Sequence, residues 1–175
     1  GNDIRNKILS DKTFNVFNKL YNINEMYLHY NTYSTMANDE YIFIMNMKKF
    51  IEKLEENIQM NKKIVIPVNS LKTAKIINKY ILDNFKEKRV CLYSSESDDL
   101  IKKKDLSNVN KEWLKYDIII YTPSITAGIS FEESHFDCVF GYFTNRSCDV
   151  YTLLQMLYRV RNVKEKKIYI FIDIH

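Results

Sequence analysis

The chain has 175 residues, of which 46% are hydrophobic and 27% are charged, so it is not a disordered chain and is long enough to bury the core of one domain. No apolar run approaches the roughly 18 residues that a transmembrane helix needs, and no signal-peptide pattern opens the sequence. A net charge of +4 is compatible with nucleic acid, while three widely spaced cysteines form neither a disulfide framework nor a zinc pattern and favour a reducing, intracellular setting.

The first predicted elements are the least regular. Hydrophobic residues recur at helical spacing over residues 4–21, and partial alternation over residues 26–33 predicts a strand. The apolar run 41–45 fits either a strand or the lead-in to the next helix. Residues 46–60 are predicted to form an amphipathic helix. Its apolar stripe consists of Phe50, Ile51, Leu54 and Ile58.

A strand, a helix and a second strand are predicted next. Residues 63–68 form an apolar strand, after which Ser70 is placed to cap a helix over residues 71–85. The inward face of that helix is predicted to consist of Leu71, Ala74, Ile77, Ile81 and Leu82. Residues 89–94 form the following strand, which ends in small polar residues.

Two short helical pieces, over residues 99–104 and 108–116, lead to the most informative part of the sequence. The second piece contains Trp113, the only tryptophan, which we expect to pack against the sheet. A β-branched strand then covers residues 117–121 and breaks at Pro123, because proline cannot extend a central strand.

The loop after this strand contains Gly128, one of only three glycines in the chain. A glycine just beyond the carboxyl end of a strand indicates positive φ or a close approach to a ligand, and a simple turn explains it equally well. The next apolar strand is predicted at residues 136–143, and Ser147 is placed to cap a helix that begins at residue 148. A last buried strand is predicted at residues 167–174.

The helix after Ser147 is expected to run through Arg161. Its sheet-facing residues are predicted to be Val150, Leu153, Leu154, Leu157 and Val160. Gln155, Arg159 and Asn162 form a separate stripe at helical spacing. A glutamine and an arginine one turn apart suit phosphate oxygens, because guanidinium is always charged and binds in a bidentate manner. A solvated face is the commoner explanation of an arginine pair on a helix.

Strands that alternate with helices imply right-handed crossovers. The fold class predicted from this order is α/β, with a mainly parallel sheet of about six or seven strands and helices on both faces. Ser70, Ser94 and Thr122 would then lie at the carboxyl ends of three strands, the edge at which such sheets bind ligands. For any one serine, a helix cap or a loop contact is the plainer explanation.

The ordered set T-P-x-x-x-x-G, strand, helix and Q-x-x-x-R-x-R resembles motifs V and VI of the second RecA-like domain of superfamily-two helicases. More specifically, the chain resembles the helicase part of herpesvirus-type replication origin-binding proteins. The matching segments are 64–70, 108–113, 121–133, 135–137, 140–143, 147–151 and 155–161. The resemblance implies a three-layer RecA-like (P-loop NTPase-like) fold, in which residues 1–175 form a single second RecA-like domain and residues 1–22 its linker.

The resemblance also implies a role for each matched site residue. Gln155, Arg159 and Arg161 match motif VI, whose arginines reach the γ-phosphate of ATP and stabilise charge on the phosphoryl group during transfer. Gly128 and Ser130 match the end of motif V, near the ribose and the phosphates. The residues that would hold the sugar-phosphate backbone of single-stranded DNA are Asn69, Ser70, Ser94, Thr122 and Ser124.

Two departures from the family pattern affect motif VI. Tyr158 stands where most relatives have glycine. The arginines are spaced R-x-R, whereas many members have R-x-x-R, a spacing that would place Asn162 at the arginine-finger position. Arg159 and Arg161 therefore both remain candidates for the finger.

The chain contains no G-x-x-x-x-G-K-[ST] phosphate loop and no acidic pair that marks a metal site. The resemblance implies that ATP with Mg²⁺ is bound jointly with a first RecA-like domain that is absent from this chain. We therefore expect the chain alone neither to hydrolyse ATP nor to bind it tightly. The implied function is the second motor domain of an ATP-dependent DNA helicase in viral or mobile-element replication.

The implied partners are single-stranded DNA, the upstream RecA-like domain and replication proteins, with no membrane. The implied location is the nucleus or a cytoplasmic viral factory of an infected host.

Two other classes of function fit the same residues. A catalytically silent module would use the same edge to hold single-stranded nucleic acid or a protein, and the missing phosphate loop favours it. A nucleotide-dependent transferase is the third, because a fold does not fix a function, although no nucleophile or base stands at a strand end.

Overall fold

The structure, a computed structural model, describes residues 39–125, 129–144 and 149–173. Several predicted features lie outside these ranges, namely the helix at residues 4–21, the linker at residues 1–22, the strand at residues 26–33, Gly128 and Ser147. No helix in the described ranges is long and apolar enough to cross a membrane.

In the part of the chain that the structure describes, six parallel strands form one sheet, in the order β1-β6-β5-β2-β4-β3. The strands are β1 (Glu40–Ile44), β2 (Ile64–Pro67), β3 (Val90–Tyr93), β4 (Ile118–Tyr121), β5 (Cys138–Thr144) and β6 (Lys167–Asp173). The apolar run 41–45, for which a strand and a helix lead-in both fitted, mostly belongs to β1. Every residue of β2 and β4 is buried, as the β-branched runs indicate for strands covered on both faces. The parallel sheet confirms the predicted fold class.

Five helices connect or follow the strands in the described part of the chain. They are α1 (Met47–Gln59), α2 (Leu71–Asn84), α3 (Asp99–Ser107), α4 (Val109–Glu112) and α5 (Val150–Leu157), with a 3₁₀ turn (Trp113–Lys115) after α4. Ser70 caps α2 as predicted, since its Oγ accepts a hydrogen bond from the Thr73 N–H at 3.3 Å. The predicted cap of α5 is wrong. Asp149 fills that position, and its carboxylate accepts from the Thr152 N–H at 2.8 Å.

The helices cover both faces of the sheet, so the domain has three layers. On one face, α1 and α2 pack against the sheet through Phe50, Leu54 and Ala74, which contact strand residues such as Ile66 and Phe140. The Phe50 and Phe140 rings meet edge to face, with centroids 5.7 Å apart. This face contains the predicted stripe of α1.

The opposite face is organised around Trp113, which is completely buried. Its ring stacks with Tyr93 at the end of β3, Tyr121 at the end of β4 and Phe131 in the loop that follows, with centroid distances of 6.0, 5.8 and 5.7 Å. The prediction that Trp113 packs against the sheet is confirmed. These aromatic contacts hold the loop after β4, at Phe131, against the sheet.

Three apolar side chains that were predicted to face the sheet are exposed instead: Leu82 (45%), Val150 (71%) and Leu154 (38%). The buried side chains of α5 are Met156 and Leu157, both in its last turn. α5 is short, so only this turn reaches the core.

Gly141 of β5 permits the close approach of α5. A Cβ at this position would lie 2.9 Å from Leu157 Cδ2 and 2.7 Å from Phe143 Cε2, both closer than normal contact. The absence of a side chain therefore lets the last turn of α5 sit directly on the strand.

Candidate functional site

The site is built where β4 ends. Thr122 follows the strand, and its N–H donates to the Tyr93 carbonyl at 3.0 Å, which extends the pairing of β4 with β3 by one residue. The chain then turns, since the Ile125 N–H donates back to the Thr122 carbonyl at 3.2 Å. The hydroxyls of Thr122 and Ser124 lie 2.9 Å apart within this turn. The loop therefore leaves from the carboxyl edge of the sheet, where α/β sheets bind ligands.

The two arginines lie after α5 in a segment that is not helical, contrary to the prediction. Val160, between them, forms an isolated parallel bridge with Phe131. The Phe131 N–H donates to the Arg159 carbonyl at 2.7 Å, and the Arg161 N–H donates to the Phe131 carbonyl at 2.9 Å. Val160 and Phe131 are both buried, so the bridge keeps two apolar side chains in the core. The predicted helical stripe that contains Gln155 and Arg159 is therefore wrong.

Arg159 is half-buried and holds the loop after β4. Its Nη1 donates to the Ile129 carbonyl at 3.1 Å, and its Nη2 donates to the Ile125 carbonyl at 3.5 Å. These carbonyls lie on either side of residues 126–128, so one guanidinium joins both ends of this segment. The same charge acts on Tyr121, where burial raises the pKa of the phenol and the positive charge of Arg159 opposes the rise.

Arg161 is exposed, and only one nitrogen of its guanidinium is engaged. Its Nε donates to Ser130 Oγ at 3.2 Å, and the Ser130 hydroxyl donates in turn to Glu132 Oε1 at 2.7 Å. Among the described residues, the terminal nitrogens of Arg161 have no hydrogen-bond partner, and neither arginine forms a direct ion pair with a carboxylate. Those nitrogens are free to bind an anionic ligand.

Gln155 lies on α5 with its side chain exposed, and no hydrogen bond joins it to either arginine. The structure thus brings Arg159, Arg161 and Ser130 together at the loop after β4. Gln155 is not bonded to this group. Gly128, which was predicted to border the nucleotide, lies outside the described residues.

Asn69, predicted to contact DNA, is 6% exposed and bonds a neighbouring strand end. Its Oδ1 accepts from the Thr144 N–H at 2.8 Å, and its Nδ2 donates to the Thr144 carbonyl at 2.8 Å. The amide therefore acts as a substitute for strand pairing beyond the end of β2. A role of this side chain toward nucleic acid stays a prediction.

The other side chains predicted to contact DNA also lie at the carboxyl edge and also make local bonds. Ser70 caps α2, and Ser94 is buried, with its Oγ accepting from a backbone N–H two residues further on at 3.3 Å. The Thr122 and Ser124 hydroxyls contact each other. Ser70 and Ser124 are partly exposed, whereas Thr122 is buried. The structure brings these residues to one edge and leaves their contact with DNA a prediction.

Glu132 and Asn110 belong to the site but were not among the predicted site residues. The Glu132 N–H donates to Asn110 Oδ1 at 2.8 Å, and Asn162 Nδ2 donates to the Glu132 carbonyl. The order Ser130-Phe131-Glu132 contained a signal for this arrangement. Alternate side chains of an extended segment point to the same side, so the two polar residues flank a buried phenylalanine on the outer side.

Other reactive groups are held in unreactive states. Burial raises the pKa of Cys138 to about 12 and also raises the pKa of Cys91, so both remain thiols at neutral pH. In the described ranges, no group of three or more His, Cys, Asp or Glu side chains is placed to hold a metal ion.

A family model described as origin of replication binding protein matches residues 5–175 of the chain. A protein of African swine fever virus, provisionally named helicase/primase complex protein, is 39% identical over 158 residues, which cover 90% of this chain and 14% of that protein. The replication origin-binding protein of human herpesvirus 6B is 29% identical over 126 residues, which cover 71% of this chain and 15% of that protein. The chain thus spans a small part of the length of these relatives.

Two solved structures share the fold. A variant of Saccharomyces cerevisiae Dbp5 has a TM-score of 0.58 at 14% sequence identity, covering 94% of this chain and 42% of that chain. The SWI2/SNF2 ATPase core of Sulfolobus solfataricus, solved in complex with double-stranded DNA, has a TM-score of 0.50 at 16% identity, covering 72% of this chain and 25% of that chain. At these identities the likeness concerns the fold alone, which is RecA-like.

Proposed function

This chain belongs to the origin of replication binding protein family, and from that premise we propose that it is the second RecA-like motor domain of an ATP-dependent DNA helicase in viral or mobile-element replication. ATP and Mg²⁺ bind between it and a first RecA-like domain of the same protein, which supplies the phosphate loop and the metal ligands. The partners are single-stranded DNA and other replication proteins. The site of action is the nucleus or a cytoplasmic viral factory of an infected host.

One observation carries the proposal: two guanidinium groups converge on the loop after β4, and neither is directly neutralised by a carboxylate of the described residues. Both outer nitrogens of Arg159 donate to loop carbonyls, whereas those of Arg161 are open. We therefore assign the finger role to Arg161 and a loop-holding role to Arg159. A guanidinium whose two terminal NH₂ groups are open is suited to the charge that develops on a transferring phosphoryl group.

The remaining nucleotide contacts of the proposal involve Ser130, Gly128 and Gln155. Ser130 borders the phosphates, because its hydroxyl already bonds Arg161. Gly128 borders the ribose from the segment whose two ends Arg159 holds. Gln155, exposed on α5, is a further nucleotide contact in this proposal. Each of these contacts belongs to the proposal and follows motifs V and VI of the family.

Single-stranded DNA lies along the carboxyl edge of the sheet in this proposal. Ser70 and Ser124, which are partly exposed, offer hydroxyl and backbone N–H groups to phosphate oxygens. Asn69, Ser94 and Thr122 are buried and act by shaping the loops that carry those donors. Such contacts are blind to base sequence and weaken as the salt concentration rises.

The test uses a two-domain protein in which a first RecA-like domain precedes this chain. Arg161→Ala is expected to lower ATP turnover by a factor of about a thousand, and Arg161→Lys to recover only part of it, because ammonium lacks the bidentate fork. Arg89→Ala is the matched control, since Arg89 lies at the amino end of β3, where it pairs with Asp117. Unchanged turnover in Arg161→Ala would overturn the motor assignment, and DNA binding without ATP turnover in the unaltered protein would favour the silent binding module.

A further inference from the structure

We propose that Glu132 is a positioning residue for Arg161, which it orients through the hydroxyl of Ser130. The inference rests on the proposed function, because it concerns how the arginine finger is held. Its basis is a chain of hydrogen bonds that begins at a guanidinium nitrogen and ends at the carboxylate of a residue whose backbone is anchored.

The hydrogen bonds of this chain have a fixed direction. Arg161 Nε donates to Ser130 Oγ at 3.2 Å, and Ser130 Oγ donates to Glu132 Oε1 at 2.7 Å. A serine hydroxyl has one proton and two lone pairs, and an ionised carboxylate can only accept. Glu132 therefore accepts the hydrogen bond of the serine hydroxyl, whose lone pairs stay directed at the guanidinium. A carboxamide at position 132 can donate as well as accept, so it would not enforce this direction.

Glu132 is itself fixed at both of its backbone polar groups. Its N–H donates to Asn110 Oδ1 at 2.8 Å, and its carbonyl accepts from Asn162 Nδ2. Asn110 belongs to α4, and Asn162 follows Arg161 directly in the chain. The carboxylate thus extends from a backbone that is tied both to a helix and to the arginine segment. It can serve as a stable reference for the orientation of Arg161.

The serine between the two charges keeps Arg161 oriented without placing a carboxylate in direct contact with its guanidinium. A direct ion pair would occupy two donors of the guanidinium and offset its charge at close range. Through Ser130, only Nε is engaged, and both terminal nitrogens stay open. Glu132 therefore limits the rotation of the side chain while leaving its ligand-binding end available.

This chain of hydrogen bonds is expected to affect the orientation of Arg161 far more than the free energy of unfolding of the domain. Glu132 and Arg161 are both exposed, and exposed charge contacts add little to the free energy of unfolding. Removing Glu132 should therefore release the orientation of Arg161 while the thermal unfolding temperature stays close to that of the unaltered chain. This separation allows the positioning role to be measured in a folded protein.

The first measurement uses the 175-residue chain without nucleotide and follows hydrogen exchange of the Arg161 Nε–H by NMR. The signal is identified by its loss in Arg161→Lys. Glu132→Ala and Ser130→Ala are each expected to speed the exchange by roughly tenfold, the effect of losing one hydrogen bond of ordinary net strength. Glu133→Ala is the matched control, because Glu133 is an exposed neighbouring carboxylate. Exchange that is unchanged in both Glu132→Ala and Ser130→Ala would overturn the proposal.

The second measurement is steady-state ATP turnover in the two-domain protein. Glu132→Ala is expected to lower kcat about tenfold and to change KM for ATP by less than about twofold, because a displaced finger weakens the transition state more than the bound substrate. Glu132→Gln should give a kcat between that of Glu132→Ala and that of the unaltered protein. Glu133→Ala should give the kcat of the unaltered protein. A kcat unchanged in Glu132→Ala would overturn the positioning role. Failure of the proposed function is a separate outcome, seen as unchanged turnover in Arg161→Ala.

Discussion

Asn69 and Thr144 join the ends of two neighbouring strands by two hydrogen bonds, each 2.8 Å long, between one side-chain amide and one residue's backbone. Thr144 is the last residue of β5, and Asn69 lies just beyond the end of β2. Both Thr144 backbone groups thereby have partners on the side of β5 where pairing with β2 has ended. The residue that the family pattern assigns to DNA contact therefore has a structural task in the folded domain.

Asn69→Ala is expected to lower the free energy of unfolding by about 1–3 kcal/mol, because two backbone groups of Thr144 lose their partner. Urea unfolding followed by circular dichroism measures the change. Asn69→Asp is the control, since its carboxylate can accept from the Thr144 N–H but cannot donate to the carbonyl, so it should also be destabilised. Full stability combined with weaker binding of single-stranded DNA would instead place Asn69 among the DNA contacts.

The two arginines are expected to differ in their effect on stability. Arg159→Ala should lower the free energy of unfolding by about 1–3 kcal/mol, because its guanidinium donates to two loop carbonyls. Arg161→Ala should change it by less than about 0.5 kcal/mol, because that side chain is exposed. Thermal unfolding of the two variants tests this difference. Equal losses would remove the distinction between a loop-holding arginine and a ligand-binding arginine.

Trp113→Ala should be among the most destabilising single substitutions, at about 3–5 kcal/mol, because the ring is fully buried and stacks against three aromatic rings. Trp113→Phe should cost much less. The indole Nε1 has no hydrogen-bond partner among the described residues, so removing that donor leaves no group unpaired. Far-UV circular dichroism in urea is the measurement, since the only tryptophan is lost. Similar losses in both variants would contradict this account.

His135 is expected to make the domain less stable as the pH falls from about 7 to 5. Burial lowers its pKa below 6.5, Lys63 and Lys164 lower it further, and the Tyr116 carbonyl and the Asp117 charge oppose the change. In this range the unfolded chain binds a proton that the folded chain does not, so the free energy of unfolding falls with falling pH. The loss is complete only below the folded-state pKa.

The measurement for this titration is urea unfolding at pH 7, 6 and 5. His135→Gln should show a smaller decline over this interval than the unaltered chain, because it no longer contributes a proton-binding difference. His175→Gln is the control at another histidine of the sequence. A decline of the same size in His135→Gln would show that other groups cause it.

The sequence was most informative where local pattern and packing agree. The helix at residues 46–60 and the strands at 63–68 and 117–121 were predicted within a few residues, because their apolar periodicity matches the face that the sheet buries. The helix predicted to run through Arg161 is too long, because α5 ends at Leu157. Val160 fits a helical stripe, but its actual partner is Phe131, and a bridge between segments so far apart cannot be inferred from local spacing.

The sequence predicts which loops meet at the site but not the contacts between them. Motif order placed the arginines and the loop after β4 at one edge, and the structure joins them through Arg159 and Ser130. The sequence could not show that Asn69 bonds Thr144, because 75 residues separate them. The sequence also could not show which arginine has open terminal nitrogens, since that depends on the hydrogen bonds each guanidinium makes in the folded chain.

The parallel bridge between Phe131 and Val160 gives a reason for the R-x-R spacing of this chain. Side chains that serve one loop from an extended segment must stand two residues apart, whereas a helix requires three or four. Arg159 and Arg161 meet that requirement, and both reach the stretch between Ile125 and Ser130. Inserting one residue between them would rotate one guanidinium to the opposite side of the segment. The interval between the arginines is therefore as much a part of the site as the arginines themselves.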